Sequence, residues 1–232
     1  MKRLYIFLLM CLPFFAMAQN NFHRWQIGTT FSSECAYRTS PETTLASNSE
    51  IPKLGFTAGL STVYNFTSFL GLETGIFFSN RGFFMGNVEI DYPVAEGKWR
   101  YTFTYIDVPI RTNIYLGKGK LRGIATAGIM VNFVQYRGKK WVSRGGLYSI
   151  TDMLDDFTKK NKFSPLIGIG IENQLSNKIT LRVLPILKYG LKETFIDRTY
   201  WHIDGVYHYS EEISSRKLWN LGVEVGVFYT IF

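Results

Sequence analysis

The sequence has few cysteines, few charged residues and only one long apolar run. Of its two cysteines, Cys11 lies within the N-terminal apolar run, so the remaining chain keeps Cys35 alone and cannot form an internal disulfide. Charged residues make up 19% of the 232 residues and hydrophobic residues 46%, which excludes intrinsic disorder. A helical membrane bundle needs several runs of about 20 apolar residues. The single run therefore excludes that class as well.

The positive charge of the chain is dispersed. The formal net charge is +8, and two of these charges, Lys2 and Arg3, belong to the N-terminal segment, which leaves +6 for the rest. No block of five consecutive basic residues occurs, so we expect no nucleic-acid partner.

The N-terminal segment has the three parts of a secretory signal peptide. Lys2 and Arg3 form a positive start, residues 4–15 form an apolar core, and the triplet ending at Ala18 has the small-x-small pattern of a cleavage site. We therefore predict two parts, a signal peptide at 1–18 and a mature domain at 19–232. The mature domain should be exported.

The mature sequence divides into strand-like segments with alternating connection lengths. Eight segments rich in aromatic and β-branched residues lie at 22–32, 53–65, 69–81, 99–116, 120–136, 163–175, 178–191 and 217–232. Short connections alternate with long ones at 33–52, 82–98, 137–162 and 192–216. This rhythm predicts an all-β, eight-stranded, antiparallel up-and-down transmembrane β-barrel. Its short turns should be periplasmic and its four long loops extracellular.

Each strand alternates apolar residues with Gly, polar residues and a few charges. In 217–232, Leu221, Val223 and Val225 share one face, and Gly222 and Glu224 share the other. The polar face suits a narrow lumen in which every charge needs a partner. We expect a structural network of ion pairs there, formed by Arg24, Glu73, Asp107, Arg111, Arg122, Glu172, Arg182, Lys188 and Glu224. Glu172 should lie opposite Arg182 across a short turn.

Aromatic residues form two further groups. Near the short-turn ends, six of them are candidates for a membrane girdle: Trp25, Tyr64, Phe66, Phe69, Tyr115 and Tyr229. On the long loops, six residues are candidates for recognition of a partner: Trp99, Trp141, Trp201, His202, Tyr207 and His208. The alternative for the loops is catalysis, in which His202, Asp204 and His208 would hold a metal or His202 would activate Ser210. No strong motif supports that alternative.

Two stretches resemble a known family. Tyr105-Ile106-Asp107-Val108-Pro109-Ile110 resembles the Tyr-Leu-Glu-Ile-Pro-Leu strand motif of PorT-like outer-membrane β-barrels, with Asp107 in place of Glu. The Gly-rich segment 163–173 is similar to the sixth strand of that family. The resemblance implies an eight-stranded barrel in the outer membrane. The member that gives this family its name is associated with type IX secretion. An envelope or type IX-like secretion assembly is therefore an expected setting for the chain, but the resemblance does not by itself imply an export function.

We therefore expect an integral outer-membrane protein with a structural or recognition role. Eight strands are too few for a general porin, since open channels need about 16–18 strands. We expect no enzyme activity, no catalytic or metal site and no cofactor. The expected partners are outer-membrane lipid, the barrel-assembly machinery during insertion, and an envelope protein or glycan. The alternatives are an outer-membrane enzyme that processes lipid or peptide at its rim, and a soluble ligand-binding barrel with its apolar face inside.

Overall fold

The computed structural model describes residues 25–39, 50–91, 94–143, 149–153, 161–190, 193–203 and 206–231. These residues form ten strands: β1 (Trp25–Thr39), β2 (Glu50–Asn65), β3 (Leu70–Asp91), β4 (Val94–Leu116), β5 (Leu121–Ser143), β6 (Ser149–Met153), β7 (Asn161–Gln174), β8 (Ile179–Tyr189), β9 (Glu193–Ile203) and β10 (Val206–Thr230). Among the described residues, no helix has both the length and the apolar character needed to cross a membrane.

Eight of the strands close into a barrel. The order around it is β1, β2, β3, β4, β5, β7, β8 and β10, and β10 pairs with β1 to complete the circle. Every pairing between neighbours is antiparallel. β6 pairs with the far end of β5, and β9 pairs with the first half of β10. The predicted eight-stranded antiparallel barrel is confirmed.

The short connections lie together at one end of the barrel, here called the turn side. They are residues 66–69, 117–120 and 175–178. In the second turn, Gly117 and Gly119 have φ of 93° and 107°, which other residues adopt only with strain. The chain ends of the barrel meet there too, because the Ile231 amide donates to the Trp25 carbonyl over 3.0 Å. The opposite end is the loop side.

The strands on the loop side are longer than predicted. The segment 82–98, predicted as a loop, continues β3 and β4 in a paired ladder up to Asp91 and Val94. Most of 192–216 likewise forms β9 and the start of β10. Cys35, predicted in a loop, lies within β1. Backbone hydrogen bonds hold these extensions together whatever the side chains are, so the apolar alternation ends before the strands do.

The two faces are arranged as the alternation predicted. Outward side chains are apolar and exposed, such as Ile169 at 67%, whereas Glu172 on the same strand is 1% exposed and faces the lumen. This arrangement is opposite to that of a soluble ligand-binding barrel. The girdle prediction is wrong for Tyr115, which is buried in the lumen, because β4 turns its odd-numbered residues inward. Trp25 and Tyr64 do face outward, with ring centroids 4.8 Å apart.

Candidate functional site in the barrel lumen

The inward faces of the strands carry charged side chains into a narrow space. Because side chains alternate along a strand, every second residue points into the lumen. One or two charged residues at these positions in each strand are enough to bring many charges together. Eight of the nine residues predicted for the network have side chains that the structure describes in the lumen, and Arg24 lies outside the described residues. These eight residues come from six of the eight barrel strands: β3, β4, β5, β7, β8 and β10.

Six residues form a chain in which acids and bases alternate. Its order is Glu224, Arg111, Glu73, Arg182, Glu172 and Arg122. Arg111 donates to both oxygens of Glu224, at 2.9 and 2.5 Å, and to Glu73 at 2.5 Å. These guanidinium contacts are charge-assisted, and such hydrogen bonds are about twice as strong as neutral ones. We call this set the six-residue ion chain.

Glu73 is the centre of the six-residue ion chain. Its side chain is fully buried, and its second oxygen accepts from Arg182 at 2.6 Å and from the Asn113 amide at 2.8 Å. The two arginines that it joins come from β4 and β8, on different sides of the lumen. One carboxylate therefore binds two guanidinium groups that come from different sides of the barrel.

The other end of the chain approaches the turn side. Glu172 lies opposite Arg182 in the ladder, as the short turn predicted, and accepts from it at 3.0 Å. Arg122 donates to the same carboxylate at 3.0 and 2.5 Å, and its side chain is 24% exposed. Arg122 is therefore the member of the chain with the most contact with solvent.

Aromatic rings cover two of the guanidinium groups. The Arg122 guanidinium lies 3.9 Å from the centre of the Tyr115 ring, and that of Arg182 lies 4.2 Å from the centre of the Phe228 ring. Both distances are within the range of cation–π attraction. The rings shield from solvent the faces of the cations that carry no hydrogen-bond acceptor.

A second group of four charges lies nearer the loop side. Lys188 contacts Glu34, Arg81 lies 3.6 Å from the same carboxylate, and Arg81 also contacts Asp107. The alternation of the sequence predicts Lys188 and Asp107 as members of the network, whereas Glu34 and Arg81 are not among the predicted residues. Glu34 falls in the segment predicted as a loop, although it is in phase with the inward residues of β1. Extending that alternation would have found it.

Asp107 is held by neutral donors as well as by Arg81. Ser79 donates to one oxygen at 2.7 Å, and the Asn132 amide donates to the other at 2.6 Å. Ser164 in turn donates to Asn132 at 2.7 Å. The Asp residue of the Tyr-Ile-Asp-Val-Pro-Ile segment is thus the point where β3, β4, β5 and β7 are joined inside the barrel.

Apolar side chains occupy the lumen between and beyond the two charged groups. Phe83, Tyr101, Phe103 and Tyr105 form a buried cluster at the loop side. Met130, Leu166 and Ile186 form a second cluster, and Tyr115, Ile124 and Leu184 form a third. In the described part of the lumen, the five paired carboxylates face five paired cations, so the formal charge cancels.

The sequence matches a family of outer-membrane proteins. Residues 17–194 match the family described as outer membrane protein beta-barrel domain. The chain belongs to this family. Its location is therefore the outer membrane, as predicted from the sequence.

The chain is similar to solved structures of outer-membrane proteins at low sequence identity. OprG from Pseudomonas aeruginosa has a TM-score of 0.50 and 8% identity, over 91% of this chain and 98% of its own. Neisserial surface protein A has a TM-score of 0.49 and 7% identity, over 89% and 97%. Outer membrane protein W of E. coli has a TM-score of 0.40 and 14% identity, over 90% and 99%. No curated protein sequence matches the chain.

The residues predicted for loop recognition lie on the strand extensions of this outer-membrane barrel. The ladder pairs Trp99 with Trp141, on β4 and β5. It also pairs Trp201 with His208, and His202 with Tyr207, on β9 and β10. Their side chains lie outside what the structure describes, and so does Asp204 of the alternative metal site. The strand pairing thus divides the six residues into two groups. Trp99 and Trp141 form one, and Trp201, His202, Tyr207 and His208 form the other.

Proposed function

We propose that this outer-membrane barrel is a closed, non-conducting envelope component of the PorT-like type with a structural or recognition role. The observation that carries the proposal is the filled lumen. Ten paired charges and three apolar clusters occupy it. A path for solutes would require some of these buried ion pairs to separate, which costs several kcal/mol for each charge left unpaired. A general porin instead needs an open aqueous channel.

The strand extensions support recognition. A tilted strand crosses a bilayer with about 9–11 residues, whereas β3, β4, β5 and β10 have 22, 23, 23 and 25 residues. The surplus forms paired ribbons beyond the loop-side rim. Such ribbons hold contact residues in a fixed order, which reduces the entropy lost on binding. The partner that we propose is an envelope protein or glycan, in an envelope or type IX-like secretion assembly.

The absence of conduction can be tested directly. The full mature chain is reconstituted into planar bilayers and liposomes, beside a porin of about 16 strands as the conducting control. We expect no stepwise conductance and no sugar-driven swelling. Regular conductance steps that persist in preparations with intact heat-modifiable mobility on gels would overturn the proposal.

The recognition role needs a variant that keeps the barrel. Residues 86–96 are replaced by a two-residue turn, which shortens the β3–β4 ribbon and leaves the lumen charges in place. We expect normal insertion and loss of any native complex seen with the wild-type chain on blue native gels. An unchanged complex would exclude this ribbon as the contact.

The remaining parts of the proposal concern processing and chemistry. We propose that the leader is removed after Ala18, which the intact mass of the protein from outer membranes would test. We also propose that the chain is not an enzyme. Replacing His202 and His208 with Ala should leave unchanged any hydrolytic activity of the purified protein, whereas its loss would favour the rim enzyme.

A further inference from the structure

The outer wall of the barrel carries a group of positive charges at the loop side. Lys98, Arg100 and Lys140 are exposed, and the ladder sets Arg100 beside Lys140. They point outward, because Tyr101 and Phe103, which alternate with the even-numbered residues of β4, are buried in the lumen. These charges therefore face sideways from the barrel, and not into its lumen.

A fourth cation, Lys53, lies beside them at an irregularity in β2, but only 6% of it is exposed. The register between β2 and β3 shifts between Pro52 and Phe56. The Lys53 ammonium donates to Asn80 at 3.3 Å and to Thr102 at 3.1 Å. Asn80 and Thr102 both flank lumen residues and so lie on the outer face. We call the three exposed residues Lys98, Arg100 and Lys140 the basic outer patch, next to which Lys53 is buried.

No described acid balances the basic outer patch. All five carboxylates whose side chains the structure describes are buried in the lumen, each at 4% exposure or less. None of the ion pairs among the described side chains involves a residue of the basic outer patch. The ladder holds Arg100 and Lys140 side by side, and two like charges at neighbouring positions favour an anion between them.

The patch adjoins the apolar surface that contacts lipid. On β4, the outward residues from Leu116 to Ile106 cover about 11 positions, the length that crosses a bilayer. Arg100 and Thr102 follow directly on the loop side, with Phe78 at 45% exposure and Tyr136 at 39% exposure close to the boundary. Long loops face the exterior in outer-membrane barrels, so the boundary belongs to the outer leaflet.

We propose that the basic outer patch binds the phosphate groups of a phosphorylated outer-leaflet lipid, whose acyl chains lie on the apolar wall below. The arrangement requires an amphiphile, because the cations and the lipid-facing side chains form one continuous surface. Arg100, Lys98 and Lys140 provide the phosphate contacts. The buried Lys53, whose ammonium donates to Asn80 and Thr102, adds positive charge next to them. The site is separate from the lumen and does not depend on it.

The test uses the full mature chain in a neutral detergent and diphosphoryl lipid A as the probe. Binding is followed by native mass spectrometry for the wild-type chain and for the double variant Arg100→Gln/Lys140→Gln. Removing two cations near a membrane surface should weaken binding about 30-fold. The matched control is Lys118→Gln/Lys120→Gln, which removes two exposed charges from the turn side and should retain wild-type affinity.

Three results would overturn the proposal. Equal losses in the two double variants would mean that net charge alone attracts the lipid. Equal binding of lipid A stripped of its phosphates would mean that the apolar wall is sufficient. Displacement of the lipid by an excess of inorganic phosphate, with phosphate itself bound at the patch, would assign the site to a free anion.

Discussion

Glu73→Gln is the most direct perturbation of the six-residue ion chain. The substitution keeps the size of the side chain and removes the charge that lies between Arg111, at 2.5 Å, and Arg182, at 2.6 Å. The chain would then hold three guanidinium groups against two carboxylates. The neighbouring contacts of Arg111 with Glu224 and of Arg182 with Glu172 remain, so the loss is that of one buried anion and not of the whole network.

The expected loss of unfolding free energy is large. Removing one partner of a fully buried ion pair costs about 3–5 kcal/mol, because the remaining charge stays desolvated. Whole domains have a stability of about 5–15 kcal/mol, so the change removes a large share of the total. It is measured by urea unfolding of the protein in lipid vesicles, followed by intrinsic fluorescence and by heat-modifiable mobility on gels.

Two further variants make the measurement specific. Arg122→Gln removes a charge from the solvent-exposed end of the same chain and should cost about 1 kcal/mol or less. Glu73→Gln/Arg182→Gln restores the charge balance, and its coupling energy should be about 0.5–3 kcal/mol. A loss below about 1 kcal/mol for Glu73→Gln would refute the reasoning, because that is the value of an ion pair in water.

Three other substitutions, the first two with one control substitution each, test the outer wall, the strand contacts and the loop-side cluster in the same unfolding assay. Ile169→Arg, in the middle of β7 and 67% exposed to lipid, should cost about 2–4 kcal/mol, whereas Leu121→Arg at the turn-side boundary should cost about 0–1 kcal/mol; equal effects would contradict the placement of the bilayer. Gly170→Ala should cost about 1–3 kcal/mol, because a Cβ there would overlap the Val183 carbonyl oxygen and lie 2.8 Å from the Leu184 Cα. Gly123→Ala, whose closest contact is the Leu116 side chain at 3.3 Å, should stay within about 0.5 kcal/mol of wild type. Phe83→Ala should cost about 3–5 kcal/mol, because its ring is 1% exposed and stacks on Tyr101 at 4.6 Å; a neutral result would mean that water already fills that part of the lumen.

The alternation of side chains made the barrel and its inner face predictable. In β7 and β10, apolar residues alternate with Gly and single charges, and one short turn is enough to set Glu172 opposite Arg182. These are relations between neighbours in sequence or between adjacent strands. They follow from the two-residue period of a strand and from turn length.

Other features depend on geometry that the pattern does not contain. The contact of Arg111 with Glu224 crosses the lumen, so it depends on how the strands are tilted and staggered around the barrel. Above the bilayer both faces of a strand meet water or other side chains, so the alternation fades while the backbone ladder continues. The Lys53 ammonium contacts Asn80 and Thr102 beside a register shift, for which the sequence around it carries no distinct signal.

The partners of the charged lumen lie far apart along the chain, and this has a consequence for how the barrel forms. Arg111 and Glu224 are separated by 113 positions, and Glu34 and Lys188 by 154. Both pairs lie inside the circle that the pairing of β10 with β1 closes, so they need that closure in order to be shielded from water. Until then the interior charges must remain hydrated, since each would cost several kcal/mol if it were dry and alone. Removal of water from the interior is therefore linked to the final strand pairing, and a barrel that lacks its last strand cannot become dry.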